Sequence, residues 1–179
     1  MTSAPKELCE RFPVYTHHLS KFEELKDLAF PTSHTILLIA ANYEAIGSKE
    51  ISDTATALLS RGNAYLASWG ENAEKAETIW DAAARRLETQ KKLDFHFVAT
   101  SHEEETLEEA AWYALNCAFV DEEIESATSV VLISIGHPEW QNTIDNIRED
   151  PTAFNERSLE DEGDDNPGSN TLLRGFRQK

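Results

Sequence analysis

The sequence predicts an α/β fold: a three-layer α-β-α sandwich on a mainly parallel four-stranded sheet, Rossmann-like or flavodoxin-like in layout. Three observations carry that prediction. Residues 34–150 alternate strand-like and helix-like patterns four times over. The strand segments are uninterrupted apolar runs, as in parallel strands buried on both faces. The chain has 179 residues, a length that suits one domain, and 40% of them are hydrophobic, which suffices for a core.

The first strand is the apolar run 34–41 (HTILLIAA). A helix over 48–60 follows, with Ile51, Ala55, Leu58 and Leu59 on one face, and Gly62 is placed to end it in a left-handed conformation. Residues 64–69 (AYLASW) read as the second strand. Residues 71–91 read as a long helix, with Ala73, Ala76, Trp80, Ala83, Ala84 and Leu87 at spacings of three or four. Its acids come early and Lys91 and Lys92 close it, in keeping with the helix dipole.

Residues 95–100 (FHFVAT) are the third strand, and Thr106 with Glu109 has the spacing of a capping box. The helix that follows carries Leu107, Ala111, Ala114, Leu115 and Ala118 on one face. Residues 129–135 (SVVLISI) form the fourth and most apolar strand, and Pro138 suits the first position of a last helix with Trp140, Ile144 and Ile147. Strand order 2-1-3-4 or 3-2-1-4 fits this alternation. Residues 1–33 are expected to be an extension with one short helix, where Ser20 and Glu23 have capping spacing ahead of Leu25 and Leu28. Residues 151–179 are an acidic tail, polar and breaker-rich through LEDEGDDNPGSN, and are expected to be disordered. Leu172, Leu173 and Phe176 give that tail a means of docking when a partner is present.

Charge is the most informative feature beyond the fold. The chain holds 33 acids against 16 Lys and Arg, for a net charge of −17. That balance argues against direct nucleic-acid or anionic-membrane binding, which needs cations to meet phosphate. No apolar run is long enough for a membrane span, and the beginning of the sequence lacks a signal-peptide pattern. Two cysteines, Cys9 and Cys117, in a chain of this size point to a reducing, cytoplasmic setting. Residues 93–147 contain no Lys or Arg. Their acids include two clusters, Glu103, Glu104, Glu105, Glu108 and Glu109, and then Asp121, Glu122, Glu123 and Glu125. The first cluster suits a helix start. The second crowds the expected end of the same helix, where the dipole disfavours it. The plain account is a solvated face that keeps the protein soluble; the functional one is a docking surface for a basic protein.

In an open parallel sheet, ligands bind outside the carboxyl ends of the strands. Those exits are Asn42-Tyr43-Glu44, Trp69-Gly70-Glu71, Ser101-His102-Glu103 and Gly136-His137-Pro138-Glu139. The sequence has no GxxxxGK[ST], GxGxxG or GxSxG pattern, so no phosphate loop or nucleophile elbow is predicted, and no cofactor. His102 and His137, with Glu44, Glu71 and Glu103, could form an acid–base pair or a divalent-metal site. Their spacing matches no metal motif, so no metal site is predicted. His137 serves equally to cap the last helix. His17-His18 reads as a surface pair, Cys117 as a packed helix residue, and Trp80 and Trp140 as core. Trp69, at a strand exit before glycine, is a candidate aromatic anchor.

The segments YLASWGENAEKAETIWD, FVATSHEEETLEEAAWYALNCAFVDEE and VVLISIGHPEW resemble a family of small bacterial α/β domains of uncharacterised function. The likeness covers residues 34–148. It lies in a Trp-Gly before an acidic helix, a Thr-x-His-like exit before a Leu-Glu-Glu-Ala-x-Trp helix, and a Gly-x-x-Glu-Trp turn. It implies a compact three-layer domain in a bacterial or phage context, and no activity, cofactor or catalytic residue. The positions matching the family pattern are Trp69, Glu74, His102, Glu109, Trp112, Glu139 and Trp140, and Ser101 stands where an aromatic residue is expected.

The expected function is therefore that of an acidic, non-enzymatic interaction module. Its partner would be a basic protein, in an immunity or inhibitor role or as a complex subunit. The alternative is a small enzyme, or a nucleotide- or metal-binding domain, using the crevice at the strand exits.

Overall fold

The computed structural model describes residues 6–7, 12–149 and 154. Its strands are β1 (Lys6–Glu7), β2 (Pro13–Leu19), β3 (His34–Ala40), β4 (Asn63–Trp69), β5 (Val98–Ser101) and β6 (Thr128–Ile135). The α-helices are α1 (Ser48–Leu59), α2 (Ala73–Thr89), α3 (Leu107–Asn116), α4 (Glu122–Glu125) and α5 (Pro138–Glu149), and 3-10 turns span Phe22–Asp27 and Tyr43–Ala45. The sheet runs β1-β2-β6-β3-β4-β5. β2, β6, β3, β4 and β5 pair in parallel, and β1 pairs antiparallel with β2.

The three-layer α/β architecture stands, with a larger sheet than expected. Alternate residues of β3 supply the two cores. Leu37 and Ile39 meet α1, α2 and the turn Phe22–Asp27 on one face. Ile36, Leu38 and Ala40 meet α3 and α5 on the other. Every residue of β6 is buried, which explains why its sequence is apolar without alternation. Helices α1 and α3 begin where the sequence puts them, and the Thr106–Glu109 capping box is formed from both sides. Gly62 has φ 91, the left-handed value expected after α1.

The expectation for the N-terminal segment is corrected. Residues 13–19 are a fifth parallel strand and not part of an irregular extension. His17-His18 breaks the apolar run that would have revealed it, but Val14, Thr16 and Leu19 turn inward and β2 pairs with β6 from Val14 to Leu19. The short helix after it is the 3-10 turn, with Lys21 at its N-cap and Phe22 and Leu25 buried. Of the two strand orders that fit the sequence, the structure has 3-2-1-4: the four strands lie as β5-β4-β3-β6, α3 carries the chain back over the sheet, and β2 extends it beyond β6. The tail 151–179 lies outside the described residues except for Phe154, which is buried in the core under α3 and α5.

His17 gives the fold a pH dependence. Its Nε2 is buried and has no hydrogen-bond partner among the described residues. Burial, the larger cause, and the neighbouring imidazole of His18 hold its pKa below 6.5. The folded state therefore favours neutral His17, while the unfolded chain takes up the proton near pH 6.5. Stability contributed by neutral His17 is full above that value and is lost as pH falls below it. Thermal melts between about pH 7.5 and about pH 5.5 should show Tm falling, and His17→Leu should flatten that decline. Equal slopes for the two proteins would exclude His17 as the cause.

Candidate functional site at the carboxyl edge of the sheet

The polar exits of the strands gather at one edge of the sheet. β3 leads to α1 on one face and the adjacent β6 leads to α5 on the other, so the chain diverges between them, which is the place where an open parallel sheet forms its binding crevice. One wall is tied by two crossed amide–carboxylate bonds: Asn42 Nδ2 donates to Glu71 Oε2 at 2.9 Å, and Asn72 Nδ2 donates to Glu44 Oε2 at 2.7 Å. The backbone reinforces them, with Tyr43 N–H donating to Glu71 O at 2.9 Å and Ala41 N–H to Trp69 O at 3.0 Å. Lys75 Nζ donates to the carbonyls of Tyr43 and Ile46 at 2.9 and 2.7 Å. Tyr43 is buried, donates to Ile39 O at 2.9 Å, and has its phenol pushed far above the ordinary range by that burial.

The other wall is aromatic. Trp69 and Trp140 meet edge to face with centroids 5.3 Å apart, and His137 stacks on Trp140 at 3.8 Å. Trp69 Nε1–H donates to Glu105 O at 2.8 Å, which fixes the indole to the loop after β5. All three rings are half-buried. His137 Nδ1 lies 3.2 Å from Glu139 Oε1. The backbone N–H of Glu139, and then His137, hold that carboxyl below the usual range. Trp140 is thus a half-exposed member of this cluster and not the core residue its spacing suggests.

His102 is placed otherwise. It is 4% exposed, its Nε2 lies 2.9 Å from Thr100 Oγ1, its Nδ1 contacts Glu105 Oε2, and its ring packs on Tyr113 at 4.8 Å. His137 is instead half-exposed and held by Glu139 and Trp140. The two histidines form no hydrogen bond with each other, and the path between them runs through Glu105, Trp69 and Trp140. Glu44 is exposed and bonded to Asn72. Among the described residues, no group of three or more His, Cys, Asp or Glu is arranged to hold a metal ion.

The two acidic clusters separate. Glu103, Glu104 and Glu108 are exposed at the carboxyl edge, Glu105 binds His102, and Glu109 accepts from Thr106 N–H at 2.7 Å. The second cluster does not crowd the end of α3, because that helix stops at Asn116. Asp121 accepts from His96 N–H at 2.8 Å, and Glu122, Glu123 and Glu125 form the new turn α4 at the opposite edge. The dipole conflict expected for these acids is absent, since they open a turn instead of closing a helix. Cys117 is the exposed cap of α3 and not a packed helix residue.

A family model described as a domain of unknown function (DUF7684) matches residues 14–151, from β2 through α5. The chain belongs to that family. The match takes in β2, in agreement with its place in the sheet, and supports the likeness to an uncharacterised α/β family. No curated protein and no solved structure matches the chain.

One constellation in this DUF7684 chain escaped the sequence. His18 Nδ1 lies 2.7 Å from Ser134 Oγ, and its Nε2 lies 3.0 Å from Asp145 Oδ1. The order of groups is that of a hydrolytic triad, yet Ser134 is fully buried in β6 and offers no surface to a substrate. The set ties β2, β6 and α5 together. Residues 116 and 127 positions apart leave no local signal of such a pairing.

No described helix is long and apolar enough to cross a membrane.

Proposed function

We propose that this DUF7684 domain is a non-enzymatic interaction module that docks a basic segment of a partner protein at the carboxyl edge of its sheet, as an immunity-type or inhibitory partner or a complex subunit. The observation that carries this reading is the grouping of exposed Glu103, Glu104, Glu108 and Glu139 with the half-exposed rings of Trp69, Trp140 and His137. Carboxylates that meet cations and aromatic rings that supply apolar area are the two contributions a docking surface for Arg-rich chain requires. Lysines near this edge are already engaged: Lys75 with carbonyls, Lys49 with Asp53 and Lys21 with Glu23. The starts of α3 and α5 carry the chain's own Glu109 and Glu139, so an incoming phosphate would meet like charge there. A bacterial cytoplasm is the setting this reading implies.

The test compares two charge reversals of equal size. A labelled nona-arginine peptide is titrated against wild type, Glu103→Lys/Glu104→Lys and Glu122→Lys/Glu123→Lys by fluorescence anisotropy, at low and at raised salt. The carboxyl-edge reversal should weaken binding on the order of tenfold at low salt, and the opposite-edge reversal by much less. Equal losses would mean that net charge alone attracts the peptide, and the proposed edge would be abandoned.

A further inference from the structure

We infer that His102 is a positioning residue for the docking edge, setting from inside the domain where Glu103 and Glu104 stand. The inference rests on the reading of this edge as a docking surface. The loop 102–106 between β5 and α3 is fixed at nearly every residue except those two. His102 N–H donates to Ser68 O at 2.9 Å, and its ring is held between Thr100, Glu105 and Tyr113. Glu105 is gripped twice, by His102 on its carboxylate and by Trp69 Nε1–H on its carbonyl at 2.8 Å. Thr106 closes the loop through the capping box, donating to Glu109 Oε2 at 2.7 Å and accepting from Glu109 N–H at 3.2 Å. Glu103 and Glu104 are left exposed on a short, anchored arch.

That construction has a use at a binding edge. A long acidic side chain on a mobile loop loses freedom when it meets its partner, and an anchored backbone reduces the loss. His102 spends both ring nitrogens on this anchoring, so its place in the binding reading is indirect: it touches no partner and holds the residues that do. The Glu105 carboxylate is likewise consumed inside the loop, which leaves charge for a partner at 103 and 104.

His102→Leu removes both ring bonds, and Thr100→Val removes the Nε2 partner from within β5 while leaving every residue of the edge unchanged. Amide hydrogen exchange at residues 102 and 106, whose N–H groups are bonded to Ser68 O and Glu109 Oε2, and nona-arginine binding are measured on both variants and on wild type. Exchange should quicken at these residues while the amides of β3 and β6 keep their wild-type rates. Binding should weaken about tenfold in His102→Leu and less in Thr100→Val. The salt dependence should keep its slope, because the charges at 103 and 104 remain. A merely structural histidine would slow no binding once the core is intact. Unchanged exchange in the loop, or faster exchange with unchanged affinity, overturns the inference. If His102→Leu does not fold, Thr100→Val decides by the same readouts. Failure of wild type to distinguish the two charge-reversed edges would overturn the docking reading itself, whatever the loop does.

Discussion

Gly70→Ala is expected to remove about 3–5 kcal/mol of stability, a large part of what a domain of this size holds. Gly70 has φ +113, and a Cβ built there would lie 2.3 Å from Ala41 O and 3.2 Å from the carbonyl carbon of Ala41. Both are backbone atoms, so no side chain can rotate away. The contact also falls where β3 and β4 leave the sheet together, with Ala41 N–H bonded to Trp69 O at 3.0 Å and Ala73 N–H bonded to Gly70 O at 3.1 Å. Relief of the clash requires parting these strands or shifting the start of α2. Either movement would displace Trp69 and the crossed Asn–Glu bonds of the crevice wall. Urea unfolding measures the loss directly. A change below about 1 kcal/mol, the ordinary scale of a strain-free Gly→Ala change, would show that the turn adjusts freely and that the close approach is not required.

Gly70 also illustrates what the sequence discloses. Its place after an apolar strand marks an exit, and the four exits read from the sequence do meet at one edge. That follows from topology: parallel strands all release their chain on the same side. β3, β4 and β6 were legible because burial on both faces leaves an apolar run too short for a helix and bounded by turn residues. β2 was hidden because His17 and His18 replace apolar residues there, and because its stability comes from β6, more than a hundred positions away. The end of α3 was hidden for a similar reason. No glycine or proline follows Asn116, and the chain turns where Ala118 and Val120 enter the core and Asp121 bonds His96. Misplacing that end made Asp121 and its neighbours look electrostatically strained. His102 could have been read more closely. Thr100 lies in β5 and His102 one residue past its end, where its N–H still bonds Ser68 O on β4, so the two share a face, and a neighbouring hydroxyl is the partner a buried imidazole would need. His137, between Gly136 and the first residue of α5, carried no such signal.

The second large effect lies at the opposite edge, where Trp80→Ala should cost about 3–5 kcal/mol. Trp80 is fully buried in α2, and its Nε1–H donates to Asn63 Oδ1 at 3.1 Å. Asn63 is itself fully buried and stands at an irregularity between β3 and β4, where Thr35 pairs with Asn63 but Ile36 pairs with Tyr65. Its amide nitrogen spans that irregularity, donating to Tyr65 O at 2.8 Å and Thr35 O at 3.3 Å. The indole therefore fills the core and holds the oxygen end of the one side chain that joins these two carbonyls. Trp80→Phe separates the two contributions. It keeps most of the apolar volume and strands Asn63 Oδ1, and should cost about 1–3 kcal/mol. Asn63→Ala, alone and in the Trp80→Phe background, completes a double-mutant cycle read by urea unfolding. Strong coupling means that tryptophan at this position serves the strand pairing as well as the core. Additive losses would mean that Trp80 acts by volume alone and that Asn63 keeps its place without it.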